Sequence, residues 1–122
     1  MKIVHNTCYG GFSLNDEGLK RYHEKTGKQR GDSEFLDRHD PALVEMIEED
    51  AKKYSGRCSE LRIYNLDDIF DGCYYIDDYD GMESVEVDYG KWLTKNITLP
   101  PDQFHARVKE MLAILKRPSS GE

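Results

Sequence analysis

The chain has 122 residues, 34% charged and 38% hydrophobic, with a net charge of −7. That length suits one domain with one core, and 8 Tyr, 4 Phe and 1 Trp argue against intrinsic disorder. No apolar run approaches the length of a membrane span, and His5 and Asn6 interrupt the first apolar residues too early for a secretory leader, so a cytoplasmic location is expected.

Lys2 to Thr7 predicts a strand, and the β-branched pair Ile3-Val4 suggests a central one. A turn follows at Gly10-Gly11. Ser13 is placed to accept the amide of Asp16 and so begin a helix that runs to about Thr26, with Gly27 as its left-handed cap. Leu14, Leu19 and Tyr22 form a thin apolar stripe along it. Residues 27–37 read as a polar loop. Its Arg30-Gly31-Asp32 tripeptide matches an adhesion motif, which in a cytoplasmic protein is a chance match.

Asp40-Pro41 is a clear helix start: Asp40 caps, and Pro41 takes the first helical position, where no amide is needed. Leu43, Val44, Ile47, Ala51 and Tyr54 supply the apolar face, and Ser55-Gly56 ends the helix. Ser59 to Leu66 alternates as a strand does. Cys73 to Ile76 and Val85 to Val87 predict a hairpin about a turn at Asp77 to Gly81. Tyr89 to Pro101 reads as irregular. Phe104, Val108, Met111, Leu112 and Leu115 then mark the most amphipathic helix of the chain, expected to dock on the sheet or to form a homo-oligomer through 102–116. The whole predicts an α+β fold. It comprises a small mixed or antiparallel sheet of about four strands and two to three helices, in a single domain over 1–117 with a flexible tail at 118–122.

Two glycines between a strand and a helix allow backbone amides to converge on an anion such as a phosphate. Asn6, Thr7, Tyr9, Gly10, Gly11 and Ser13 are the ligand candidates at this turn, with Arg38 and Asp80 as expected neighbours. Glycine used for turn geometry alone is the commoner arrangement. Cys8 is a candidate nucleophile, but His5 falls on the opposite side of an extended strand, and a buried thiol is the simpler account. Three widely spaced cysteines, Cys8, Cys58 and Cys73, suggest reduced thiols rather than a disulfide framework. No zinc spacing accompanies His5 and Cys8, and the acidic turn fails as a calcium loop because Ile76 and Val87 fall where carboxylates are required, so no metal or cofactor is expected.

From Ile63 to Gly90 there is no Lys or Arg, while nine acids occur there. Since −7 = −9 + 2, the rest of the chain is slightly basic. This stretch argues against non-specific nucleic-acid binding. A solvated surface is its simplest account. As a functional surface, with Asp77, Asp78, Asp80, Glu83 and Glu86 as its partner face, it suits a basic protein or a metal ion, or mimics a nucleic-acid backbone. Asp77, Asp80 and Glu83 are also the carboxylates an acid–base enzyme would use.

The opening Met1-Lys2-Ile3-Val4, with Asn6 through Leu14, resembles the start of a family of small, uncharacterised bacteriophage and prophage proteins. Arg38 through Glu45 is similar to that family's middle helix start, and Tyr75 through Ser84 to its late hairpin. The chain departs from the common pattern after Trp92. The resemblance implies a phage accessory protein acting in the cytoplasm of the bacterial host, a class that often inhibits host defence. The leading expectation is therefore a non-enzymatic binding protein that engages a host protein or sequesters a phosphate-bearing nucleotide. The alternatives are a small enzyme using Cys8 or the carboxylates, and an assembly protein using its C-terminal helix.

Overall fold

The computed structural model describes residues 1–27 and 36–116; the Arg30-Gly31-Asp32 tripeptide and the tail at 118–122 lie outside the described residues. The fold is α+β, with four α-helices and two antiparallel pairs of strands among the described residues. The chain packs as two compact units, Met1–Val87 and a second beginning at Asp88.

In the first unit, β1 (Lys2–Asn6) pairs antiparallel with β2 (Leu61–Asn65), in a register running from Lys2 opposite Asn65 to Asn6 opposite Leu61. Ile3 and Val4 point to opposite faces and both are fully buried, as a central strand would have them. Yet among the described residues β1 has a strand neighbour on one edge only. Its other edge is completed without a strand: the Val4 amide donates to the Arg38 carbonyl at 2.8 Å and the Asn6 amide to Glu83 Oε1 at 2.9 Å.

Helices α1 (Asp16–Thr26) and α2 (Pro41–Tyr54) cover the Val4 face. Leu14, Tyr22, Leu43, Met46, Ile47 and Tyr54 close the core with Phe12 and Leu61. The α1 cap is Asn15, which accepts the Gly18 amide at 2.7 Å, and not Ser13. The cause is local. Leu14 bridges to Ser55 and the Asn15 amide donates to the Tyr54 carbonyl, so the chain stays extended two residues longer than the capping pattern suggested. Gly27 ends α1 in the left-handed region at φ 70°, and Asp40 caps α2 by accepting the Ala42 amide at 2.9 Å.

Strands β3 (Tyr74–Tyr79) and β4 (Met82–Val87) form a hairpin longer than expected, because the turn takes only Asp80 and Gly81. Both have positive φ, 51° and 88°, as the tight turn favoured between right-twisted strands demands. Tyr75, Asp77, Tyr79, Met82, Ser84 and Glu86 therefore share one face. Glu83 and Val85 turn the other way, into the protein.

In the second unit, Tyr89–Asn96 is a helix, α3, where irregular chain was expected. Asp88 caps it by accepting the Lys91 amide at 3.0 Å, a signal hidden at the end of an acidic run. Helix α4 (Pro101–Leu115) begins at the predicted proline, and Phe104 meets the buried Trp92 ring at 6.5 Å. Phe104, Val108 and Met111 of its stripe are half-buried; Leu112 and Leu115 are exposed. Among the described residues, no helix is long and apolar enough to cross a membrane.

Candidate functional site

The centre of the first unit is an ion pair. Arg38, just before α2, donates from Nη1 and Nη2 to the two carboxylate oxygens of Glu83 at 2.5 and 2.8 Å. The Glu83 side chain is only 4% exposed. The guanidinium carbon lies over Phe12, 3.7 Å from the ring centroid, so an aromatic ring and a bidentate carboxylate together hold the group in place. Hydrophobic period alone would not select Phe12 for this role.

Beside this pair the Gly10-Gly11 turn opens on a shallow cleft of about 420 Å³, lined by Gly10, Gly11, Phe12, Ser13, Arg38, Asp78 and Glu83. The turn is tightly built. A Cβ on Gly10 would lie 1.7 Å from the Cys58 carbonyl oxygen, and one on Gly81 would lie 2.5 Å from the Gly11 nitrogen. The hairpin tip thus sits directly on the glycine turn. Ser13 Oγ pairs with Ser59 Oγ at 2.8 Å, and Ser59 donates to the Gly11 carbonyl.

Of the residues expected to hold a ligand, Gly10, Gly11, Ser13 and Arg38 do line the cleft. Asn6 does not. It is fully buried, with its amide donating to the carbonyls of Cys8 and Gly81 at 2.6 and 2.7 Å and its oxygen accepting the Glu60 amide at 2.8 Å. It is a tie between three backbone segments and has no donor left for a ligand. Thr7 Oγ1 donates to the Glu60 carbonyl; Tyr9, 62% exposed, and Asp80 stand outside the cleft. The cleft carries one guanidinium against the carboxylates of Asp78 and Glu83, a net charge of −1. A phosphate would meet that negative balance with the arginine already engaged.

The carboxylates proposed for acid–base chemistry do not converge. Asp77 faces outward opposite Ser84, Glu83 faces inward in its ion pair, and Asp80 occupies the turn. Glu86, also outward, accepts the Ser84 hydroxyl at 3.1 Å. The Cys8 thiol donates to the Cys58 carbonyl at 2.8 Å, and the His5 ring contacts Tyr64 edge-on at 6.0 Å. Burial pulls the His5 pKa below its ordinary value, against the opposing effects of a backbone bond at Arg62 and the charge of Glu83. Among the described residues, His5 Nδ1 is buried with no hydrogen-bond partner. Among the described residues, no three His, Cys, Asp or Glu side chains are grouped to hold a metal ion.

The outward hairpin face is different in kind. Tyr75 is 52% and Tyr79 73% exposed, alternating with Asp77 along β3; on β4 Tyr75 faces Glu86, Asp77 faces Ser84 and Tyr79 faces Met82. Asp80 projects at its tip. The two tyrosines were not singled out from the sequence; the Tyr-x-Asp-x-Tyr alternation over 75–79 is the signal that marks them. No family model, curated protein or solved structure matches this chain.

Proposed function

We propose that this chain is a non-enzymatic binding protein whose acidic, tyrosine-bearing hairpin face docks a basic segment of a protein partner. The observation that carries the reading is the exposure of Tyr75 and Tyr79 beside Asp77 and Glu86, in a stretch without a single cation from Ile63 to Gly90. Tyrosines give large contact area at low entropic cost and stack on guanidinium groups; the carboxylates select Lys and Arg and steer their approach. The resemblance to phage proteins makes a component of the bacterial host, such as a defence protein in its cytoplasm, the proposed partner. Sequestration of a phosphate-bearing nucleotide at the glycine turn is the weaker reading, given the net negative cleft.

A fluorescent peptide rich in Lys and Arg is the test ligand. Binding should weaken steeply with salt, and Tyr75→Ala with Tyr79→Ala, or Asp77→Asn with Glu86→Gln, should abolish it. The pair Asp67→Asn and Asp71→Asn removes the same charge elsewhere and should leave binding nearly intact. If both charge pairs weaken binding equally, the attraction is diffuse and the face is not a site.

A further inference from the structure

Two accessible cysteines, Cys8 and Cys58, lie beside the glycine turn, the sulfur of one against the main chain of the other. Thr7 continues the β1–β2 pairing by donating to the Glu60 carbonyl, so Cys8 comes opposite Ser59 and diagonal to Cys58. The Cys8 sulfur lies 2.8 Å from the Cys58 carbonyl oxygen, which places it within about 6 Å of Cys58 Cβ by covalent geometry. Gly10 makes the approach feasible, since a Cβ there would fall 2.2 Å from Cys58 Cβ. Cys58 is exposed and Cys8 half-buried, whereas Cys73 is buried at 1% exposure.

We infer that Cys8 and Cys58 form a reversible redox pair, closed to a disulfide by a small-molecule disulfide such as oxidised glutathione. The exposed Cys58 thiolate attacks one sulfur of oxidised glutathione. The glutathione S–S bond breaks, a mixed disulfide forms on Cys58, and one glutathione thiolate leaves. The Cys8 thiolate then attacks Cys58 Sγ and expels the second glutathione. The protein dithiol loses two electrons, its two protons go to the departing thiolates, and one oxidised glutathione becomes two reduced ones. The Cys8 sulfur already rests against the Cys58 main chain and the Cys58 side chain is exposed, so closure requires the two Cβ atoms to come within about 4 Å of each other. The bond staples the turn before β2 to the turn on which the hairpin tip rests.

The full chain is incubated under native conditions with oxidised glutathione and digested with trypsin without reduction. The expected product joins peptide Ile3–Lys20 to Cys58–Arg62 in a single monomeric chain. Cys8→Ser should leave glutathione on Cys58, and Cys73→Ser should change nothing. The oxidised wild type should melt several degrees higher than the reduced form, with no such rise for Cys58→Ser. Glutathione retained on Cys58 of the wild type, or a link found only between two chains, overturns the assignment.

Discussion

Glu83 grips Arg38 with both carboxylate oxygens while one of them also accepts the Asn6 amide. A single acidic side chain therefore joins the hairpin, the segment before α2 and the open edge of β1. Removing one partner leaves the other charge buried. Glu83→Ala should destabilise the protein by about 3–5 kcal/mol in urea unfolding, and Arg38→Ala by a similar amount. A double change, Arg38→Met with Glu83→Leu, should cost clearly less than the two single changes combined, because no buried charge is stranded.

The glycines of the turn separate two effects that sequence alone merges. Gly11→Ala meets open space and costs only the strain of a positive φ of 85°, about 1–2 kcal/mol. Gly10→Ala drives a methyl into the Cys58 backbone, and Gly81→Ala does the same against Gly11 and Tyr9. Both should lower the melting temperature far more than Gly11→Ala does, and Gly81→Ala should also perturb amide signals of residues 9–11 by NMR.

Stability should respond to His5 on the acid side of neutrality. Its folded pKa lies below the ordinary value, so the unfolded chain takes up the proton first as pH falls through about 6.5. The neutral ring's contribution is complete above that value and is lost on acidification towards the lower folded pKa. The stability difference between wild type and His5→Gln should therefore shrink between about pH 7.5 and about pH 5.5. A constant difference across that range would remove His5 as the source.

Tyr22 should act at the alkaline end. Burial first, and then its hydrogen bond to Asp40, push its pKa up to about 12. The folded phenol keeps its proton after the unfolded one has ionised. Its stabilisation is intact below pH 10 and disappears as pH rises towards 12. Tyr22→Phe should flatten the loss of stability above pH 10 seen by circular dichroism.

Local chemistry made much of the fold legible. Gly27, Asp40-Pro41 and Pro101 act on their own or the adjacent backbone, and each marks its helix end where the sequence placed it. Elements decided by distant contacts were not legible. Ser13 has the credentials of a cap, but pairing of Leu14 with Ser55 moves the cap to Asn15. Asp88 looks like the last of nine acids and is instead the cap of α3. Glu83 is the sharpest case: within a run of acids nothing but strand parity distinguishes the buried carboxylate from its exposed neighbours. At the site, the glycine turn and Arg38 were found together, while Asn6 was misread because a buried amide with four protein partners resembles a ligand-binding one in sequence.

The unusual edge of β1 also bears on self-association. A two-stranded ribbon normally offers a free row of amides and carbonyls that another chain can extend into a longer sheet. Here a loop carbonyl and a carboxylate occupy the Val4 and Asn6 amides, so β1 offers an incoming strand no template at those positions. Glu83 thus guards a buried edge against polymerisation, and its loss should convert a destabilised protein into an aggregating one.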